Sequence, residues 1–339
     1  MKNTFLTILL ILSIFFFARQ AVSIIMTDKD KILIDGMSSA NQDINKSVPV
    51  NVTVMIVDPK AELGKKLFFD PILSKTGTVS CASCHKPDHG FSDDKPVSEG
   101  INGQKGDRNT PTVFNTANLK FLFWDGRAQS LEEQALGPIK NPKEMGETIA
   151  GVLTKLNNNP QYVKEFAAAF GKTPVSTSHL IRAIAAYERT LISKDSDYDR
   201  FITGDKKALS ESAKRGMDLF FGKAMCIACH KGSDFTDGDF HNIGLPITDD
   251  VGRSAISITG KDTRKFKTPT LREVANTAPY FHKGQFETLE AVIAFYNAGG
   301  GEDGYKDPLK KPLNLNEQEQ KDLLAFLKSL SGRQKIAVP

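Results

Sequence analysis

Three kinds of hydrophobic pattern follow one another along the chain. Residues 1–23, MKNTFLTILLILSIFFFARQAVS, place an apolar run from Phe5 to Ala18 behind a single lysine, the layout of a secretory leader. The run is short for a bilayer span. Ala21 and Ser23 offer a small-x-small cleavage site, which predicts a soluble mature chain from about Ile24. Residues 24–57 carry no helical period and include the alternating stretch VPVNVTVMIV, so they are predicted as an extended arm. From residue 58 onward the pattern turns helical, and it does so twice. GKKLFF (Gly64–Phe69) is matched by GMDLFF (Gly216–Phe221). Each copy then closes on an amphipathic helix, HLIRAIAAYERTLIS (His179–Ser193) in the first and EQEQKDLLAFLKSLSG (Glu317–Gly332) in the second. An internal duplication explains both matches.

The predicted fold is therefore all-α, with two related domains at 58–204 and 205–339. The polar stretch Ser193–Ser212 reads as a linker or surface hairpin between them. FETLEAVIAF reads as a core stripe. The loops at 86–120 and 231–280 are rich in Gly, Pro, Asn and Asp, and loops of that length build pocket walls.

With 339 residues the chain is long enough for two domains, and 40% hydrophobic with 25% charged content is that of an ordinary globular protein. The formal charge is +4, with both signs interspersed. No basic stripe exists to track phosphates, which excludes nucleic acid as a partner. Cysteine usage changes the picture most. All four cysteines fall in two motifs, CASCH (Cys81, Cys84, His85) and CIACH (Cys226, Cys229, His230). A zinc site or redox dithiol gives no reason for a histidine directly after the second cysteine, twice. CxxCH in an exported chain is the attachment signature of c-type haem: the sulfurs bond the porphyrin and the histidine ligates the iron. Two covalently bound haem c groups are predicted.

The opposite face of each iron decides what it does. None of the seven methionines lies C-terminal to the second motif, and Met225 adjoins Cys226 and cannot cross the ring. Tyr280, Tyr296, Tyr305, His241 and His282 remain for the second haem, or an open face. In the first half His89 sits one helical turn beyond His85, on the same side of the porphyrin. The loop Ser98–Arg108 contains no histidine. The first haem is thus the better candidate for an open, reactive iron. Peroxide chemistry there needs an acid or base and a hydrogen-bond donor. The stretch Phe123–Met145 supplies them, with the chain's one tryptophan, Trp124, followed by Gln134, Pro138 and Glu144. A glutamate in a largely apolar pocket is expected to have a raised pKa.

GKKLFFDPILS, CASCH, GDRNTPTVFN, FWDGRAQSLEEQALGPI, KNPKEM, FHNIG, TPTLREV, TAPYFHKG and FYNAGG together resemble the bacterial di-haem cytochrome c peroxidase and MauG family, over nearly all of residues 58–332. The resemblance implies that the first haem is the peroxide site and the second stores and relays electrons. It implies that Trp124 lies between the haems, that Gln134 and Glu144 are the pocket glutamine and glutamate, and that Pro138 is the proline beside them. Asn109, Thr277 and Pro279 match positions that hold one calcium ion, partly through backbone oxygens, which suits a hard cation. Two departures stand out. Ile101 occupies the place of the loop histidine that closes the first haem in some members, which puts reductive activation in doubt. Tyr296 stands where cytochrome c peroxidases carry methionine and the MauG branch a tyrosine, and so resembles the latter's axial ligand.

Three functions follow as expectations. The first is a peroxidase that reduces hydrogen peroxide to water at the N-terminal haem, with electrons from a small c-type cytochrome or other exported donor relayed through the C-terminal haem. The second is a MauG-like oxidase that uses a high-valent di-haem state to modify residues of a partner protein. The third is an electron carrier without catalysis, which would hold two closed haems inert to peroxide. Export to the periplasm or an equivalent compartment is expected. A homodimer is compatible with the resemblance.

Overall fold

The computed structural model describes residues 58–246 and 248–333. The leader and the 24–57 arm lie outside the described residues. The helices are α1 (Pro59–Phe69), α2 (Cys81–Cys84), α3 (Leu131–Lys140), α4 (Ile149–Asn157), α5 (Pro160–Phe170), α6 (Thr177–Glu188), α7 (Asp197–Ile202), α8 (Glu211–Phe221), α9 (Ser254–Ser257), α10 (Leu289–Asn297) and α11 (Glu317–Lys328). One short antiparallel ladder, β1 (Phe240–His241) with β2 (Phe266–Lys267), is the only sheet among the described residues. The all-α expectation holds, with two cytochrome c-like halves.

Each half opens alike. Asp58 caps α1 by accepting from Lys60 N at 2.9 Å, with Pro59 pre-setting the first helical φ. Ser210 caps α8 by accepting from Ala213 N at 3.1 Å. Ala61, Leu63, Gly64, Leu67 and Phe68 form the buried stripe of α1, and Ala213, Gly216 and Phe220 that of α8. α1 lies against α6, and α8 against α11. The glycines set how closely: a Cβ on Gly64 would stand 1.8 Å from Ala183 O of α6, and one on Gly216 would stand 1.9 Å from Asp322 O of α11. Only glycine lets the backbones meet there.

The first core gathers Leu67, Ile139, Leu156, Phe166 and Leu180 from α1 and α3 to α6; the second gathers Phe220, Phe235, Ile293, Leu323 and Phe326. The terminal helices are shorter than their amphipathic periods suggest. α6 ends at Glu188 because the next residues tighten into i→i+3 turns, Leu191 N on Glu188 O at 3.0 Å and Thr190 Oγ1 on Tyr187 O at 2.7 Å. α11 stops at Lys328, where Ser329 Oγ returns to Phe326 O at 2.6 Å.

The stretch Ser193–Ser212 is solvated in part, exposed over 202–207, and anchored in part. Ser196 and Asp199 form a capping box on α7, and both oxygens of Asp199 accept from the Arg272 guanidinium at 2.8 Å. Tyr198 packs edge-on against Phe235 and Phe326. Asp199 is thus spent on the second half, while Lys206 and Lys207 stay exposed.

The glycine contacts give a direct test of the duplicated helix pair. Gly64→Ala and Gly216→Ala must each push two helices apart, and each is expected to lower unfolding free energy by about 1–3 kcal/mol. Chemical denaturation of the haem-loaded protein checks this, and the two losses should be similar.

Candidate functional site

Each attachment motif sits in a single turn: His85 N bonds Cys81 O, and His230 N bonds Cys226 O, both at 2.9 Å. Cysteines and histidine therefore face one way. His85 Nδ1 lies 3.1 Å from Phe91 O, and His230 Nδ1 lies 2.9 Å from Phe235 O. A carbonyl can only accept, so it fixes the proton on Nδ1 and leaves Nε2 as the free lone pair facing the cavity. Phe91 (φ 53°) and Phe235 (φ 50°) present these carbonyls from left-handed turns. Both turns are clamped in the same way. Thr112 Oγ1 donates to Gly90 O and Thr270 Oγ1 to Asp234 O, while Ser92 Oγ donates to Thr110 O and Thr236 Oγ1 to Thr268 O, all at 2.6 Å. Burial lowers both imidazole pKa values, that of His230 to about 4, so both rings are neutral, as a metal ligand must be. The four cysteines are unpaired. Burial pushes the Cys84 and Cys226 thiols up to about 11. Two free thiols and an imidazole Nε2 at the wall of a cavity fit a covalently attached haem in each half.

The first cavity measures about 510 Å³ and is lined by Cys81, Cys84, His85, Trp124, Gln134, Pro138 and Glu144. Gln134 and Pro138 are four apart on α3 and so share a face. Glu144 stands in the turn that follows, its N on Asn141 O at 3.0 Å. Burial raises its pKa, opposed by the Asn141 amide, which donates to Oε1 at 2.6 Å. Ile101 is buried in the first core with Met145, and its N bonds Glu144 O at 2.8 Å. The loop Ser98–Arg108 is thereby docked on the turn that carries Glu144.

The second cavity, about 200 Å³, is lined by Cys226, Cys229, His230 and Tyr296. The alternatives for the far iron face are mostly engaged. His241 is held at both nitrogens, by Asp307 at 2.7 Å and Asp237 at 3.0 Å. The Tyr280 hydroxyl donates to Val274 O at 2.9 Å. Tyr305 is exposed, and His282 is stacked on Phe266 at 3.6 Å. Tyr296 sits on α10 among Phe281 and Phe295, and burial raises its hydroxyl pKa. His89, one turn from His85, reaches away to Ala278 O at 2.6 Å.

Trp124 lines both cavities. Its Nε1 donates to Asn109 O and its carbonyl accepts from Lys267 N, both at 2.8 Å. Asn109, Thr277 and Pro279 line the second cavity together. The Asn109 amide nitrogen donates to Lys95 O and Pro96 O, at 3.2 and 3.3 Å, which leaves Oδ1 as the side chain's acceptor.

Residues 58–207 match the family model described as di-haem cytochrome c peroxidase, and residues 213–331 match that of cytochrome c. The chain is 42% identical over 290 residues to the methylamine utilization protein MauG of Methylorubrum extorquens, spanning 85% of this chain and 82% of the relative. It is 40% identical over 315 residues to the cytochrome c551 peroxidase of Pseudomonas aeruginosa, spanning 88% of each. The chain belongs to the di-haem cytochrome c peroxidase and MauG family. Among solved structures, a MauG-like protein associated with microbial copper homeostasis matches at TM-score 0.79 with 35% identity, covering 88% of this chain and 97% of that one. The diheme peroxidase BthA from Burkholderia thailandensis matches at 0.72 with 26% identity, covering 84% and 93%. Membership in this family brings two haem c groups, one for each CxxCH motif.

Several residues around the family's two haem sites escaped the sequence reading. TPT occurs twice, at 110–112 and 268–270, and the repetition was the signal for the two clamps. Arg108, Asp125 and Asp250 carry no periodic signal at all. Arg108 donates to Asp125 Oδ2 at 2.6 Å and to both oxygens of Asp250 at 2.8 and 2.7 Å, and Arg253 donates to Asp125 O at 2.9 Å. Burial raises the Asp250 pKa, but Arg108 outweighs it and holds the carboxyl below the usual range. The cluster ties the loop next to Asn109, and through it the Trp124 indole, to the second half.

All three members are largely buried, with side-chain exposures of 18% for Arg108, 7% for Asp125 and 9% for Asp250. Removing the shared cation leaves Asp125 with Arg127 at 2.8 Å, and Asp250 with the Gly252 N–H at 3.0 Å and Lys283 at 3.9 Å. Arg108→Ala is expected to destabilise the protein by about 3 kcal/mol, and the loss should persist at high salt because buried pairs are poorly screened. Denaturation at low and high ionic strength checks both statements.

Proposed function

We propose that this protein is a di-haem c-type peroxidase that reduces hydrogen peroxide to water in the His85 pocket, with electrons arriving through the second haem. One observation carries the reading. A single cavity gathers His85, Gln134 and Glu144, and Trp124 forms a wall of both this cavity and the one that holds His230. Relatives named as cytochrome c peroxidases support it. When bound, the first haem supplies an iron able to accept a peroxide oxygen and take the O–O bond through two-electron reduction.

The side chains supply the proton chemistry. Reduction of one peroxide to two waters consumes two electrons and two protons. Glu144, with its pKa raised by burial, can take a proton from one peroxide oxygen and pass it to the other. Asn141 anchors Oε1, so Oε2 is the oxygen free to carry it. Gln134, on α3 just before the turn of Glu144, orients the peroxide by hydrogen bonding. Pro138 has no N–H to close a bond with Gln134 O, which keeps a backbone acceptor beside the pocket. Trp124 would serve as the relay between the two haems, and Tyr296 would join His230 in holding the second haem.

Asn109, Thr277 and Pro279 are the positions we assign to a calcium ion near the second haem. The haem domains divide near residue 205, as 58–204 and 205–339. Two covalent haems and the N-terminal leader support export to the periplasm or an equivalent compartment, where a small c-type cytochrome would be the donor; no described helix is long and apolar enough to cross a membrane. A second reading, a MauG-like oxidase that modifies a partner protein, is favoured by Tyr296 at the second cavity and by relatives named MauG.

Two measurements test the proposal. Glu144→Gln keeps the shape and loses the proton, so peroxide turnover should fall by about 10²–10⁴-fold with haem content unchanged; unaltered turnover removes Glu144 from its role. One equivalent of peroxide added to the fully ferric protein without reductant should promptly abolish the high-spin ferric signal, because Ile101 and its loop bring no ligand to the first iron. A spectrum unchanged until an electron is added would mean that the iron is closed at rest.

A further inference from the structure

The first cavity holds a second buried carboxyl that the peroxide chemistry does not use. Glu188 is the last residue of α6, is 5% exposed, and lines the cavity alongside Cys81, His85 and Glu144. Its Oε2 has no hydrogen-bond partner among the described residues. The adjacent guanidinium is no help: Arg189 Nη2 is committed to both oxygens of Glu132, at 2.8 and 3.0 Å. Leu131, Ala135 and Ile184 make the surrounding wall apolar. The other titratable groups facing it are Cys81 on α2, Glu132 on α3 and Tyr187 beside it on α6, with Glu144 and Arg127 across the cavity. Once Cys81 is a thioether, none of these gives Glu188 a hydrogen-bonded counter-charge.

An unpaired carboxylate in such a place is costly, whereas the acid is tolerated. Positive charge added at the neighbouring haem shifts that balance toward the carboxylate. We propose that Glu188 is the redox-linked proton site of the first haem, binding one proton when that haem gains an electron and releasing it when the electron leaves. This rests on the reading of the His85 pocket as a haem site and deepens it. The step is balanced: one electron enters the haem, one proton passes from water to the Glu188 carboxylate, and no bond between heavy atoms changes. It keeps the cavity's net charge constant through reduction and leaves a proton stored beside a reaction that consumes protons.

Burial pushes the Glu188 carboxyl up to about 8, against Arg189, which lowers it, and with Glu132, which raises it further. The sign follows by linkage. The reduced protein binds the extra proton, so the midpoint potential of the first haem must fall as pH rises through the window around that value. Spectroelectrochemical titration of the di-haem holoprotein at pH values on either side of about 8 reads this directly. The wild-type protein should show the fall at the first haem. Glu188→Gln should lose it there while leaving the second haem's curve unchanged. Coincident curves for Glu188→Gln and wild type would overturn the proposal.

A second readout leaves Glu188 itself in place. In reduced-minus-oxidised infrared difference spectra of the Glu144→Gln holoprotein, a carboxylic acid C=O band should appear on reduction and shift in heavy water. Absence of such a band would also overturn the proposal. Neither measurement uses peroxide, so a protein inert to peroxide would defeat the peroxidase reading without imitating either negative result.

Discussion

Both haem sites depend on where one proton sits. A buried imidazole presents Nε2 to a metal only if its Nδ1–H is spoken for, and in each half a single backbone carbonyl does this, Phe91 O or Phe235 O. That carbonyl points the right way only because its residue is left-handed, at φ 53° and 50°. A bulky residue does not stay there unaided. The unusual length of the two pocket loops then has a physical reason: each must leave the histidine, turn through the strained phenylalanine, and return a TPT segment to clamp the turn from behind. Thr112 and Thr270 do the clamping through carbonyls adjoining Phe91 and Phe235. The helices around them set the frame, and this small set of hydrogen bonds sets the ligand.

On that shared frame the far walls diverge. The first cavity is closed by Gln134, Glu144 and Glu188, groups that donate, accept or store protons. The second has Tyr296 among Phe281 and Phe295, with Leu289 and Ile293 below. An open polar pocket suits bond-breaking on a small oxidant. An aromatic wall with one phenol in it suits, on the proposed reading, a metal that changes charge without changing partners. The duplication thus yields two sites of one construction and different lining, and the difference rests on a few side chains of α3, α6 and α10.

Much of this could be read from the sequence because its strongest signals are local. CxxCH is five contiguous residues, and Gln134, Pro138 and Glu144 lie within one helix and the turn after it. The GxxLFF repeat was legible for the same reason, although its glycines prove to matter for backbone approach rather than for the haem. What stayed hidden depends on distant partners. Asp199 looks like a solvated charge until Arg272, far along the chain, is brought onto it. Glu188 looks like the polar face of an amphipathic helix, and only the diversion of Arg189 to Glu132 leaves it stranded in the cavity. Periodicity correctly placed α6 but missed its end, because the turn after Glu188 is set by i→i+3 bonds that leave no hydrophobic trace.

Trp124 is held from both sides, and any relay role proposed for it would be that of a fixed group rather than a hinged one. Its carbonyl is held by Lys267 N of the second half, and its indole by Asn109 O of the first. Asn109 N is in turn held by His282 O, so even the indole's anchor is fixed from across the boundary. Arg108, one residue away, adds the buried pair with Asp250. A swing of one half against the other would break all of these together, and with them the geometry through which an electron would pass. The docked loop points the same way. Ile101 is sealed in the first core and bonded to the Glu144 turn, so this loop is fixed in place by its own contacts. With both the relay and the pocket mouth already set, the quantity left free to change on reduction is charge, and a buried acid without a partner can balance charge without moving the chain.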